Sequence, residues 1–309
     1  MKVIIWGYPL GSDTLSYVWN GFYRAFKTMG HEVYWFNDNN YPLEMAFDYS
    51  NSLFLCESYQ SNKIPIKNDS TYVVHTLCHN PDRFLNDAKR VIDLRYSQDY
   101  QDHDTNYKYI LDRYKLQNLG PTVYYDPDPT GGYEKIYMGW ATDLLPDEID
   151  LEWASLPRSN DLYFVGTIYE NDKYSNSQEI EEVKRFCKDR GLNFKHINPW
   201  MNPVSDEKNR EIIQSSYLAP DIRGPQNVKS GYIPCRLFKN ISYGQLGMTN
   251  SRALYSLMED TIVYHPDVYT MLELADKEKD NVKRIQDQMK IVIEKHTYIN
   301  RVNDLMKIL

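Results

Sequence analysis

MKVIIWGYPLGSDTLSYVWNGFYRAFKTMGHEVYWF, residues 1–36, is the stretch on which the fold class turns. KVIIW at 2–6 is a continuous apolar run that stops at Gly7, the pattern of a parallel strand buried on both faces. A loop rich in turn residues, 7–13, follows. Tyr17, Val18, Phe22, Ala25, Phe26 and Met29 then recur at helical spacing, and Gly30 closes that helix. HEVYWF at 31–36 is a second strand. The stretch is therefore one β-α-β unit.

Outward from it the alternation continues. SLFLC (52–56) and TYVVHTL (71–77) read as strands, 83–90 as a helix and 91–94 as a short strand. Residues 97–110 are polar, and 122–125 and 135–138 read as edge strands or loop. After a polar hinge at 157–161 the pattern restarts. LYFV (162–165) runs into a Gly166-Thr167 turn, and a helix over 180–190 ends at Gly191. A strand follows at 193–197, then a helix over 205–214 with Ser205 as N-cap. Short strands at 217–219, 248–249 and 261–264, a helix at 237–243 and a helical region over 283–309 complete the pattern. Two Rossmann-like doubly wound α/β domains, 1–157 and 158–283, are expected to face a cleft lined by the loops at the strands' carboxyl ends.

The bulk numbers agree. At 309 residues the chain has room for two domains, and 42% hydrophobic with 25% charged residues is ordinary globular composition. A formal charge of −8 argues against a nucleic-acid partner, which needs clustered cations. The four cysteines are dispersed with no CxxC pair, which argues against a zinc or disulfide framework and suits a cytoplasmic location. The first apolar run is too short for a signal peptide and no run spans a bilayer, so at most peripheral membrane contact is expected. The 27 tyrosines suit sugar binding or reflect compositional bias. A GxGxxG fingerprint, a P-loop and a GxSxG elbow are all lacking, against dehydrogenase, kinase and serine hydrolase.

The chemistry concentrates in SSYLAPDIRGPQNVKSGYIPCRLFKNISYGQLGMTNS, residues 215–251. A Gly/Pro-rich loop carries Arg223 and Lys229. Gly231, Tyr232, Ile233 and Pro234 then lead into a helix starting near Cys235. Arg236 and Lys239, at i and i+3, share one face of it, and its free N–H groups suit phosphate. Against this stand a surface arginine on an ordinary helix and a loop salt bridge for Arg223.

This layout resembles the donor half of GT-B glycosyltransferases, in particular the glycosyl transferases group 1 and spore-protein-like branches, whose motif reads roughly Arg-x-Phe-Glu-x-x-x-x-Gly. Here the register is Arg236-Leu237-Phe238-Lys239-Asn240-Ile241-Ser242-Tyr243-Gly244. The resemblance implies a donor diphosphate on Arg236. Where the family's Glu meets the ribose, Lys239 cannot accept a hydrogen bond, so a phosphate or base contact is implied instead. It also implies that Gly166 and Thr167 approach the diphosphate and that Asn198, Pro199 and Trp200 line the nucleobase pocket. It implies further that 140–146 crosses between domains and that 284–309 returns to the first domain.

Candidate acceptor-side residues are Asp13, a general base or a helix N-cap, and His75, a base near the donor sugar or a satisfied core histidine. His75 and His79 lack further ligands at metal spacing. The Asp126-Pro127-Asp128 triplet reads as a turn rather than a metal-binding DxD. The expected function is metal- and cofactor-independent sugar transfer from a nucleotide-sugar donor to a glycan or other hydroxyl. The alternatives are a two-lobed small-ligand binding protein and a sugar-nucleotide epimerase.

Overall fold

In the computed structural model, Lys2–Trp6 (β1) is fully buried from Val3 to Trp6. The residues described are 1–11, 14–58, 62–77, 81–96, 115–127, 133–170, 175–199, 201, 204–229 and 231–309. After β1 come α1 (Thr14–Thr28), β2 (Glu32–Phe36), β3 (Ser52–Glu57) and β4 (Thr71–His75). Then follow α2 (Pro81–Leu85), β5 (Arg90–Tyr96), β6 (Gln117–Gly120), β7 (Val123–Asp126) and β8 (Glu134–Met138). They build one sheet in the order β2-β1-β3-β4-β5-β8-β7-β6. The pairings from β2 to β8 are parallel, and β7 and β6 add antiparallel. β8 and β7 are thus interior strands, not edges.

Helix α1 lays Val18, Trp19, Phe22, Ala25 and Phe26 on the core. The Gly30 and His31 amides close it by donating to the Lys27 and Phe26 carbonyls. The helix expected over 83–90 is only Pro81–Leu85, because Arg90 already belongs to β5.

The described residues before 140, together with Tyr298–Leu309, form one compact unit, and Trp140–Thr297 form the other. Residues 140–157 and 284–297 therefore lie in the second unit, and the polar 157–161 stretch is internal to it. In place of one returning helix over 284–309 there are two, with a break at His296-Thr297.

Within the second unit are β9 (Asp161–Val165), α3 (Ser177–Arg190), β10 (Asn193–Ile197), α4 (Asp206–Ser215), α5 (Pro225–Lys229) and α6 (Cys235–Ser242). After them come β11 (Met248–Thr249), α7 (Arg252–Leu257), β12 (Val263–Tyr264), α8 (Val268–Glu278) and α9 (Val282–Lys295). The pairs β9/β10 and β11/β12 are parallel. Residues 217–221 join them, since the Tyr217 amide donates to Asp161 O (2.7 Å) and the Asp221 amide to Met248 O (3.2 Å). Ser205 caps α4 as expected, accepting from the Lys208 amide.

The last helix, α10 (Tyr298–Met306), belongs to the first unit. Gly21 lets it approach α1: a Cβ there would stand 2.2 Å from the Tyr298 ring. The Phe22 and Tyr298 rings meet edge-on with centroids 5.0 Å apart. Arg301 is buried and donates from Nε to Gly139 O at 2.8 Å. No helix among the described residues is long and apolar enough to cross a membrane.

Candidate functional site

The second unit gathers two arginines at the carboxyl ends of β9 and of segment 217–221. Asp221 is fully buried. Its Oδ2 accepts from Arg223 Nε and from Thr249 Oγ1, both at 3.0 Å, and its Oδ1 accepts from Arg223 Nη2. This is a bidentate pair, the geometry that fits a guanidinium best. Asn250 fixes the backbone beneath it. Its Oδ1 accepts from the Arg223 amide (2.9 Å) and its Nδ2 donates to Arg223 O (2.8 Å). Arg223 is 5% exposed and lies over the Tyr232 ring, 5.5 Å from its centre.

Arg236 is held differently. It sits in the first turn of α6, a helix whose N-cap, Pro234, makes no side-chain cap bond. Its Nε donates to Val165 O at 3.0 Å and its Nη1 to Ile222 O at 3.4 Å. The Phe164 ring lies under the guanidinium at 4.6 Å. Among the described residues no carboxylate pairs with it. Burial pushes its pKa down to about 10, and the neighbouring Arg223 charge pushes the same way, with Asp221 opposing. Arg236 is still a cation at neutral pH, held beside a second cation whose own carboxylate is bound to it bidentately.

Gly166 makes that placement possible. Its φ of 151° is one that L side chains rarely adopt, and a Cβ there would lie 1.9 Å from Arg236 Nη2. Its carbonyl contacts His196 Nε2 at 2.7 Å. Thr167 follows, half-buried, its carbonyl accepting from Asn176 Nδ2 (3.3 Å). Gly166, Thr167, Arg223, Tyr232 and Arg236 therefore belong to one neighbourhood.

The other expected residues fall elsewhere. Ile233 is core, 1% exposed. Lys229 is exposed at the end of α5. Asn198 and Pro199 are half-buried in the turn after β10, where the Met201 amide donates to Asn198 O; Trp200 lies outside the described residues. Lys239 forms an ion pair with Asp143 at 3.2 Å, and Tyr243 donates to the same carboxylate at 2.6 Å. Burial opposes ionisation of Asp143, yet Lys239 and the Tyr243 hydroxyl hold its pKa below the usual value. A counter-charge from the 140–146 segment thus meets the Lys239 ammonium, an ion pair that anchors α6.

In the first unit, His75 ends β4 beside Glu57, the last residue of β3, with Nδ1 2.8 Å from Glu57 Oε2. Asp13, His79 and Asp128 lie outside the described residues. Asp126 ends β7 and pairs with Lys135 at 3.9 Å, so it is a strand residue rather than part of a turn. Among the described residues no group of three or more His, Cys, Asp or Glu side chains is placed to hold a metal.

Sequence reasoning missed Asp221, Thr249, Asn250, Glu57 and Asp143. Asp221 and Arg223 stand at i and i+2, which was a readable signal. Asn250 and Asp143 find their partners only through tertiary packing.

Neither a protein-family model nor a curated protein sequence matches the chain. Solved structures do. An alpha-glucosyltransferase in complex with UDP is similar with a TM-score of 0.60 and 10% sequence identity, over 99% of this chain and 98% of that one. An alpha-glucosyltransferase in complex with UDP and a 13-mer DNA containing a central A:G mismatch is similar with a TM-score of 0.58, at the same identity and coverage. The chain has the GT-B fold of these enzymes.

Proposed function

We propose that the chain is a glycosyltransferase that takes a sugar from a uridine diphosphate donor and passes it to a carbohydrate or other hydroxyl acceptor. The observation that carries this reading is Arg236, a desolvated guanidinium with no carboxylate partner among the described residues and next to a second cation. A buried charge left unmatched is costly, and an anionic ligand offsets that cost. A diphosphate supplies the charge, and the α6 N-terminus and Gly166 backbone suit it. The shared fold with UDP-bound alpha-glucosyltransferases supports the same ligand.

Arg236 and Arg223 stabilise the charge that grows on the diphosphate as the glycosidic bond breaks. Two cations at that point do the work a divalent metal does elsewhere, so transfer proceeds without one. The acceptor is handled by the first unit, with His75 as the proton acceptor. The net charge of −8 favours a carbohydrate over a nucleic acid as acceptor. The free thiols of Cys56, Cys187 and Cys235 fit work in the cytoplasm.

The test is UDP-glucose turnover, read as UDP release, with and without EDTA. Release that persists in EDTA and falls in a folded Arg236→Ala variant supports the reading. Release that needs added Mg²⁺, or that is untouched in Arg236→Ala, overturns it.

A further inference from the structure

His196 stands on β10 as the register partner of Phe164 on β9. Phe164 is the ring that carries the Arg236 guanidinium at 4.6 Å, and the Phe164 and His196 ring centres lie 6.0 Å apart. From β10 the imidazole reaches to the end of β9, where its Nε2 lies 2.7 Å from Gly166 O. A carbonyl only accepts, so Nε2 carries the proton and donates it. The next residue of β10 takes the other backbone group, since the Gly166 amide donates to Ile197 O at 2.9 Å. His196 and Ile197 thus hold both the carbonyl and the amide of the one residue that makes room for Arg236. Gly166 needs that hold, because a backbone at φ 151° persists only where its surroundings fix it.

With Nε2–H committed to Gly166 O, the second proton of an imidazolium goes to Nδ1, and the bond to Gly166 survives protonation. His196 is exposed, so the ring can take that proton from water. The charged and titratable groups on the elements around it are Arg236 of α6, Asp161 and Tyr163 of β9, Lys195 of β10 and Lys184 of α3. Asp161 already accepts from Asn193 Nδ2 (2.8 Å) and the Tyr163 hydroxyl (3.3 Å). Lys184 lies 5.9 Å from the Phe194 ring centre and pairs with Glu181 at 2.6 Å. Lys195, next in the strand, points to the opposite face of the sheet. Among the described residues no carboxylate pairs with His196. A charge on its ring therefore adds to those of Arg236 and Arg223 and is matched only by an incoming anion.

We propose that His196 is a positioning residue of the anion site and its third, pH-dependent cation: through Nε2–H it fixes Gly166 around Arg236, and once protonated it tightens the hold on the donor's diphosphate. This rests on the transferase reading above. The added charge acts in full at the acid end of the histidine range and is lost as pH rises through it, so donor binding tightens on acidification. For an exposed charge at low salt the gain is about 3- to 5-fold in affinity.

The experiment titrates UDP by calorimetry into wild type, His196→Gln and His196→Ala, in EDTA and at low salt, between about pH 8 and pH 5.5. Gln keeps an N–H for the Gly166 carbonyl but no titrating charge. The terminal phosphate of UDP also titrates in this range, and taking the ratio of variant to wild-type dissociation constants removes that contribution. For His196→Gln the ratio should rise about 3- to 5-fold as pH falls across the range. His196→Ala lacks the donor as well and should bind more weakly than His196→Gln at both ends of it. A ratio that does not move with pH, or an alanine variant that binds as well as the glutamine one, overturns the proposal. Neither substitution removes a core side chain, and thermal melts at each pH confirm that folded protein is titrated.

Pyrophosphate, titrated in parallel, separates this proposal from the reading beneath it. If pyrophosphate binds with the His196-dependent ratio and UDP does not bind, the three-cation site stands and the nucleotide donor falls. If UDP binds with a flat ratio, the donor stands and the role of His196 falls. A wild type that binds neither overturns both.

Discussion

Arg301 and Arg236 are the same side chain under the same stress. Burial is the first cause lowering the pKa of each, and both come down to about 10. What meets the charge differs. Arg301 lies on α10 with Asp304 three residues on, and Asp304 opposes the shift. Its Nε bonds Gly139 O. For Arg236 the next cause is a second cation, Arg223, and the carboxylate that opposes the shift, Asp221, is already bidentate with that cation. A buried cation matched from its own helix acts as a strut, whereas one crowded by a like charge is the one proposed to bind an anion. Mutations at the two positions should therefore diverge in kind.

The largest effect is expected at Arg301. Arg301→Ala leaves Gly139 O buried without its donor and empties the space of a fully buried side chain, and should cost about 3 kcal/mol, read by urea denaturation. Removing Tyr298–Leu309 should cost at least as much, since it uncovers Phe22. A loss under 1 kcal/mol for Arg301→Ala would erase the contrast.

Arg236→Ala should behave oppositely. UDP affinity should fall about 10- to 100-fold, the weight of a charge-assisted hydrogen bond or two. The ligand-free melting temperature should stay level or rise, because an unfavourable charge has been removed. A lower ligand-free melting temperature would make Arg236 a strut as well.

Gly166→Ala sharpens the same point from the backbone side. A Cβ 1.9 Å from Arg236 Nη2, at φ 151°, must displace the guanidinium. UDP binding should weaken about tenfold, with a stability loss of about 1–3 kcal/mol. Calorimetry and thermal melts report the two separately.

The smallest effect belongs to Asp143. Its folded pKa lies below the ordinary value of 3.8, so its pairing adds stability above that value and loses it as pH falls through the lower, folded one. Wild type should therefore lose stability on acidification in that window, and Asp143→Asn should lose less there, starting from a lower stability at pH 7. Parallel acid melts of the two proteins check the sign.

Much of the architecture was legible because parallel strands buried on both faces announce themselves as apolar runs. KVIIW, SLFLC and TYVVH all became sheet strands close to where their patterns placed them. β6, Gln117–Gly120, was not legible, since Gln, Asn and Gly are poor strand formers and only pairing with β7 makes it one. The α8 helix carried a usable signal, Val268, Met271, Leu272 and Ala275 at i, i+3, i+4 and i+7 behind an Asp267 cap. In the site, Arg236 and Gly166 were legible from local chemistry, a helix start and a strand-end glycine. The partner of Lys239 was not, because Asp143 is 96 positions away and only packing brings it there. Glu57 was half legible, as the one charge closing an otherwise apolar strand.

The proposed role of Arg236 is to bind a diphosphate rather than to hold the fold. Titration of UDP into wild type and Arg236→Ala, in EDTA and at low salt, tests it most directly. Saturable binding by wild type is expected, with a loss of about 10- to 100-fold in the variant and no drop in the variant's ligand-free melting temperature. Equal UDP affinity in the two folded proteins would contradict it, as would a wild type that does not bind UDP.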